Sequence, residues 1–174
     1  MGGLLMPGGL VMDQLKRKLL ELLNTDARMT AATLATMLDA EEEQVKQALR
    51  EMEEEHVIIK YAPVVNWGKV DEDKVTALIE VQIHPEKGRG FDGIAEKIYR
   101  YPEVKSVYLM SGAYDLCVEI EGRTLKEVAS FVSQRLSTVE AVLSTKTYFI
   151  LKKYKQDGVI FEDTEGDQRM LVSP

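Results

Sequence analysis

From Asp13 to Leu23 the leucines at positions 15, 19, 20, 22 and 23 fall largely on one helical stripe, with Lys16, Arg17, Lys18 and Glu21 between them. The pattern predicts a helix with Asp13 as its N-cap, interrupted by Asn24-Thr25-Asp26. A second, short helix is expected from Thr30, with Leu34, Ala35 and Leu38 turned inward. Asp39-Ala40 makes a tight connection to a third helix over Glu41–Glu55, whose apolar stripe is Val45, Leu49 and Met52. Val57-Ile58-Ile59-Lys60-Tyr61 reads as a strand, and Pro63 with Asn66-Trp67-Gly68 leads away from it. Three helices and a strand of these lengths predict a winged helix-turn-helix.

From Asp73 the pattern becomes strand, helix, strand, strand, helix, strand. The expected segments are Val75–Ile83, Phe91–Arg100, Val104–Met110, Tyr114–Glu121, Leu125–Leu136 and Val142–Lys152. Pro102 cannot continue the first of these helices and pushes Tyr101 out of the α region, which stops it there. Each helix is followed by a Val-x-x-Val step, Val104/Val107 and then Val139/Val142, a faint internal echo. Two such halves predict a ferredoxin-like βαββαβ sandwich with both helices on one sheet face. Leu78, Val81 and Ile83, with apolar residues of later strands, are expected to make the other face too apolar for solvent, so that a second subunit covers it. The fold class expected is α+β. A flexible segment over 1–11 precedes the winged helix-turn-helix at 12–62. A linker at 63–73 leads to the ferredoxin-like domain at 74–154, and an acidic tail follows at 155–174. Within that tail Val159-Ile160-Phe161 is either an added edge strand or part of a frayed end.

Composition narrows the function classes. The chain has 174 residues, enough for one large or two small domains, and hydrophobic residues at 45% suffice for a core. No apolar run is long enough to span a bilayer, so no membrane partner is expected. The opening Met1-Gly2-Gly3 and Gly8-Gly9 lacks the charged start and long apolar stretch of a signal peptide, which makes the cytoplasm the default location. Cys117 is the only cysteine, which excludes an intramolecular disulfide and any multi-cysteine metal site. The net charge of −7 argues mildly against DNA binding, since a nucleic-acid binder usually shows a basic footprint.

The stretch from Tyr101 to Leu116 is the most specific in the chain. It combines a helix end, a strand, the Ser111-Gly112-Ala113 turn and the start of a second strand in Tyr114-Asp115-Leu116. It resembles the effector-binding half of the Lrp/AsnC (leucine-responsive/asparagine-responsive) family of transcription regulators, in which a Gly-x-Tyr-Asp-Leu stretch bridges the two middle strands. The N-terminal half resembles the same family through Asp13, Asp26-Ala27-Arg28, Leu34-Ala35 and the run from Met52 to Ile58. Two departures stand out: His56 replaces the usual glycine, and Asp39 stands where the interhelical turn often has glycine. A residue with a side chain adopts the left-handed conformation less readily than glycine.

In a helix-turn-helix the second helix of the motif enters the major groove. Here Glu41–Glu55 carries seven carboxylates against two cations, Lys46 and Arg50. Gln44, Lys46, Gln47 and Arg50 recur on roughly one face and are the candidate base readers, since Gln pairs with adenine and Arg or Lys with guanine. Arg28, Thr30, Thr33 and Lys60 are candidate phosphate contacts. The opposing reading is a fold retained with weak or lost DNA affinity, because glutamates at a helix start suit the helix dipole and need no further cause.

A free amino acid needs an anion near its ammonium and converging N–H donors near its carboxylate. Asp115 can supply the first, and Gly112 lets a ligand approach the turn amides. The resemblance implies that this turn lies at a subunit interface and carries an effector site, with Met110, Ser111, Gly112, Tyr114 and Asp115 as its residues. The bland alternative makes Asp115 a turn stabiliser and Gly112 a turn requirement. His56 and His84 lack metal-ligand spacing, and Cys117 lacks the electropositive setting of a reactive thiol. Sirohaem decarboxylases resemble the same two-domain architecture, but the histidine they place before the tyrosine of this turn is absent, so no enzyme and no cofactor is expected. The function expected is a sequence-specific regulator of transcription. It would bind double-stranded DNA, respond to a small-molecule effector of amino-acid type, and assemble as a homodimer or a higher homo-oligomer. The alternative is a ligand sensor or assembly protein of the same fold.

Overall fold

A computed structural model describes residues 13–70, 73–84 and 90–161. The segment expected to be flexible, 1–11, and the tail beyond residue 161 lie outside the described residues. The chain divides into two compact units, Met1–Val64 and Val65–Pro174.

The first unit holds three helices: α1 (Gln14–Thr25), α2 (Ala31–Leu38) and α3 (Glu42–Glu54). Asp13 caps α1 by accepting the Lys16 N–H at 2.8 Å, as its position predicts. Thr30 caps α2 by accepting the Thr33 N–H at 3.2 Å. Leu19, Leu34, Val45 and Met52 are fully buried, so each leucine, valine or methionine stripe faces the others. Asp39 and His56, the two departures from the resemblance, both adopt the left-handed conformation. Asp39 ends α2 at φ 51° and ψ 49°. His56 follows α3 at φ 57°. At that second site the Val57 N–H bonds to the Met52 carbonyl and the His56 N–H to that of Glu53, the paired closure of a Schellman motif.

One expectation fails here. Val57–Tyr61 forms no strand; among the described residues this stretch finds no ladder partner, and Ile59 is 86% exposed. β-branched residues suit an extended backbone, but a strand exists only when another edge supplies its hydrogen bonds.

The second unit contains β1 (Val75–Ile83), α4 (Asp92–Tyr99), β2 (Val104–Leu109), β3 (Leu116–Gly122), α5 (Leu125–Phe131) and β4 (Val142–Phe149). α5 runs on as a π-helical turn over Val132–Leu136, so the expected helix Leu125–Leu136 is present with a wider last turn. The four strands form one antiparallel sheet in the order β2-β3-β1-β4, the ferredoxin-like arrangement. Ala77, Ile79, Val81 and Ile83 pack with Leu116, Val118 and Ile120 against Ile94 and Ile98 of α4 and Val128 and Phe131 of α5. Both helices therefore cover one face.

That packing corrects the expected open face. Val81 and Ile83 are buried beneath the helices. Strand side chains alternate, so Leu78, Glu80 and Gln82 point the other way. Their partners are Glu119 and Tyr148 beside Leu78, Cys117 and Lys146 beside Glu80, and Ser144 beside Gln82. The open face is thus mixed, with two or three apolar bodies among carboxylates and hydroxyls.

The acidic end also differs from both expectations. β5 (Lys155–Gln156) and β6 (Val159–Ile160) form a separate two-stranded hairpin. Asp157 and Gly158 between them have φ of 49° and 80°, the positive values that a type I′ turn requires at both central positions. In the expected linker, Trp67–Lys69 makes a single 3-10 turn.

Candidate functional sites

The outward face of α3 carries Glu43, Lys46, Gln47 and Arg50, with Val45, Ala48 and Met52 buried on the opposite side. Gln44 is exposed at the shoulder of that face. The polar side chains form a ladder among themselves. Lys46 Nζ lies 2.8 Å from Glu42 Oε1 and 3.8 Å from Glu43 Oε2. Arg50 Nη2 donates to Glu43 Oε1 at 3.3 Å and to Gln47 Oε1 at 3.0 Å. Gln47 Nε2 in turn donates to Glu51 Oε1 at 3.0 Å. The hydrogen bond to Glu42, reinforced by its charge, holds the Lys46 ammonium above its ordinary range. Both cations of the helix are thus neutralised on their own element.

The other four expected DNA contacts lie off this helix. Arg28 is clamped by Asp26, with Nε 3.0 Å from Oδ1 and Nη2 3.0 Å from Oδ2, a bidentate pair in an exposed setting. That side-chain contact, helped by the Arg28 backbone N–H, holds the Asp26 carboxyl down to about 2. Thr30 and Thr33 share a hydrogen bond between hydroxyls at 2.9 Å. Lys60 is exposed on the extended segment after α3.

A contact not foreseen from the sequence joins α1 to α3. Lys16 Nζ lies 2.6 Å from Glu51 Oε2, with the lysine stem buried. Hydrogen bonding to Glu51 raises the Lys16 ammonium, and the Lys16 contact comes first among the causes that lower the Glu51 carboxyl. The only sequence signal was a lysine set inside a leucine stripe, a position where its stem must snorkel.

The second candidate is the turn from Met110 to Asp115, between β2 and β3. The Met110 N–H bonds to the Asp115 carbonyl at 2.8 Å, and the Asp115 N–H bonds to the Val81 carbonyl at 3.1 Å. Asp115 Oδ2 accepts the Ile83 N–H at 2.9 Å. Gln82 Nε2 donates to the Ala113 carbonyl at 3.0 Å, and Ser144 Oγ steadies Gln82 by donating to its Oε1 at 2.7 Å. Gln82 and Ser144 were missed as parts of this site, although their polar parity in β1 and β4 was visible. Met110, Ser111 and Gly112 are exposed, while Tyr114 and Asp115 are half-buried. A Cβ built on Gly112 meets nothing within 4 Å, and its φ is not in the left-handed region. The turn therefore does not need glycine for its own packing.

Cys117 sits on the open face between Glu119 and Glu80, and burial followed by those two charges pushes its thiol up, away from reactivity. Among the described residues no group of His, Cys, Asp and Glu is arranged to hold a metal, and no helix is long and apolar enough to cross a membrane.

Comparison with known proteins places both halves. The Lrp/AsnC ligand binding domain matches residues 76–160, and a winged helix-turn-helix DNA-binding domain matches residues 12–59. An uncharacterised helix-turn-helix-type transcriptional regulator of Bacillus subtilis (strain 168), YugG, is 49% identical over 158 residues, covering 90% of this chain and 95% of that protein. Among solved structures, AsnC of E. coli superposes with a TM-score of 0.67 at 20% identity, covering 84% of this chain and 97% of that one. A transcriptional regulator of Neisseria meningitidis in complex with L-methionine superposes with a TM-score of 0.68 at 22% identity, covering 84% and 94%.

Proposed function

The chain belongs to the Lrp/AsnC family of helix-turn-helix transcriptional regulators, a family of regulators rather than enzymes, and from that premise we propose that it binds specific DNA sequences through α3 and answers to an amino acid held at the 110–115 turn. The observation that carries the reading is the sidedness of α3. Its apolar stripe is consumed by the core, which leaves Gln44, Lys46, Gln47 and Arg50 outside for a major groove. Arg28, Thr30, Thr33 and Lys60 are proposed as supports on phosphates, a role that requires Arg28 to exchange Asp26 for a phosphate oxygen.

Several features favour an effector at the turn. Asp115 has one carboxylate oxygen tied to the Ile83 N–H, so the group is held in one orientation instead of swinging in solvent. An oriented anion suits a ligand ammonium better than a mobile one, because the ordering cost is met before binding. The open space over Gly112 leaves room for a ligand beside the backbone of Ser111 to Ala113. The Neisseria relative with its L-methionine favours an amino acid as the chemical class. Leu78 and Tyr148 on the open face, with Tyr108 at its edge, favour a homodimer packed sheet to sheet.

A second reading is supported by the ion pairs on α3. With Lys46 and Arg50 held by Glu42 and Glu43, the helix presents no net positive charge, and phosphate neutralisation supplies most DNA affinity. That reading is a sensor of the same fold with weak DNA binding. A gel-shift titration on the DNA upstream of its own gene, against a scrambled fragment, separates the two. It is run at low and near-physiological salt, with and without pooled amino acids. Specific, amino-acid-dependent shifts are the expected result. Absence of binding at low salt leaves the sensor reading.

A further inference from the structure

We propose that Lys16 of α1 is a positioning residue for DNA reading: through Glu51 it fixes the amide of Gln47, and that amide selects an A·T pair. The inference rests on the reading that α3 enters a major groove, and it names one reader, its base and the device that sets it.

A continuous run of polar contacts leads from the core of the helical unit to the outer face of α3. Lys16 Nζ lies 2.6 Å from Glu51 Oε2. The other oxygen of that carboxylate, Oε1, accepts from Gln47 Nε2 at 3.0 Å. Gln47 Oε1 accepts from Arg50 Nη2 at 3.0 Å, and the same Nη2 donates to Glu43 Oε1 at 3.3 Å. The two ends of this run differ in strength. Lys16 is 7% exposed, and releasing Glu51 would leave its ammonium charged and unpaired away from water. Lys46 and Arg50 pair with Glu42 and Glu43 in solvent, where such contacts contribute little and exchange readily. Glu51 is therefore the fixed post of this face, and the outer pairs are the ones DNA can displace.

Donor and acceptor chemistry then sets the amide. An ionised Glu51 only accepts and Arg50 only donates, so one of the two amide orientations satisfies both: Nε2 toward Glu51 and Oε1 toward Arg50. Each amide atom keeps one further site, an N–H on Nε2 and a lone pair on Oε1. These are the donor and the acceptor that adenine takes at N7 and N6, whereas guanine presents two acceptors in the major groove. An exposed glutamine without such ties samples many rotamers and both amide orientations, and has to be ordered when it binds. Here Lys16 and Glu51 order Gln47 before DNA arrives.

Full-length protein is used to select a site from a randomised duplex DNA library, and each A·T pair of that site is then replaced singly by G·C. The parent should discriminate about tenfold at one such pair, and Gln47→Ala should abolish that discrimination. Lys16→Met, which keeps an apolar stem, and Glu51→Gln should each abolish it at the same pair. In Glu51→Gln the new amide gives its oxygen to Lys16, so its NH2 group faces Gln47 and turns that amide over, donor against Arg50. The two variants change the net charge in opposite directions, so affinity for a scrambled duplex should fall in Lys16→Met and rise in Glu51→Gln. A purely electrostatic effect would not remove discrimination in both. Circular dichroism checks that each variant folds; should Lys16→Met fail to fold, Glu51→Gln decides alone. Discrimination retained in Gln47→Ala, in Glu51→Gln or in folded Lys16→Met overturns the proposal and leaves DNA binding by α3 standing. Recovery of no site from the library overturns it together with the DNA-reading function on which it rests.

Discussion

At the scale of single residues the informative positions are those where the backbone demands glycine and the sequence supplies something else. His56 sits at φ 57° as the left-handed residue of a Schellman closure and is exposed. Replacement by glycine should stabilise the helical unit by about 1 kcal/mol, the cost a Cβ bears in that region less glycine's extra unfolded entropy. Thermal unfolding followed by circular dichroism of His56→Gly against the parent checks this; a lower midpoint would contradict it. Asp26 offers a titration. Its carboxyl is held at about 2 by Arg28, below its ordinary value of 3.8. The native state therefore gains from the ionised form above about pH 4 and loses that gain as pH falls towards 2. An NMR carboxyl titration should find the Asp26 midpoint near 2; a midpoint close to 3.8 would mean the clamp opens in solution. The tendency of both glycine replacements toward a strained turn was legible in the sequence. The Asp26–Arg28 clamp was not, because an Asp-x-Arg spacing permits a pair without requiring it.

At the scale of elements the third helix holds the sharpest conflict. Its core face was legible from Val45, Leu49 and Met52, and Met52 is fully buried. Met52→Ala should destabilise the helical unit by about 2–5 kcal/mol through lost burial and a residual cavity, measurable by urea unfolding. Its outer face reads as acidic from sequence, yet only the structure shows which carboxylates restrain which readers. The double substitution Glu42→Gln and Glu43→Gln removes the carboxylate partners of Lys46 and Arg50 and leaves Arg50 its hydrogen bond to Gln47. DNA affinity should rise about tenfold at low salt, and the slope of log affinity against log salt should steepen by up to about 2 as two cations reach phosphates. An unchanged slope would show that α3 does not meet the DNA backbone. β1 teaches a smaller lesson. Leu78, Val81 and Ile83 cannot share a face, because 78 differs in parity from 81 and 83, and the burial of the odd positions follows that rule.

At the scale of the whole molecule, the open sheet face is where the proposed homodimer would pack. Leu78 lies at its middle, on β1, flanked by β3 and β4. If two copies pack through this face, Leu78→Glu puts like charges beside Glu80 and Glu119 in a desolvated contact. Sedimentation should then show a shift from dimer or larger species to monomer at micromolar concentration. An unaltered mass would exclude face-to-face packing, and the mixed polarity of the face would then be that of a solvated surface.

The sequence by itself determined the three helices of the first unit and the four sheet strands and two helices of the second, their order and most of their boundaries. Periods of 3.6 and 2, helix caps and turn residues are local signals, and nothing distant has to be known to read them. It also marked the turn at Gly112-Ala113-Tyr114-Asp115, because residue types and spacing together are specific there. Only the tertiary structure decided the rest. Val57–Tyr61 stays unpaired because a strand needs an edge, and the described residues offer it none. Lys16 reaches Glu51, and Asp115 and Gln82 brace one turn from two strands, because packing brings together residues far apart in sequence. Hydrogen bonds and ion pairs fall off within a few ångströms, so which side chains share a site depends on three-dimensional distances that local pattern does not encode.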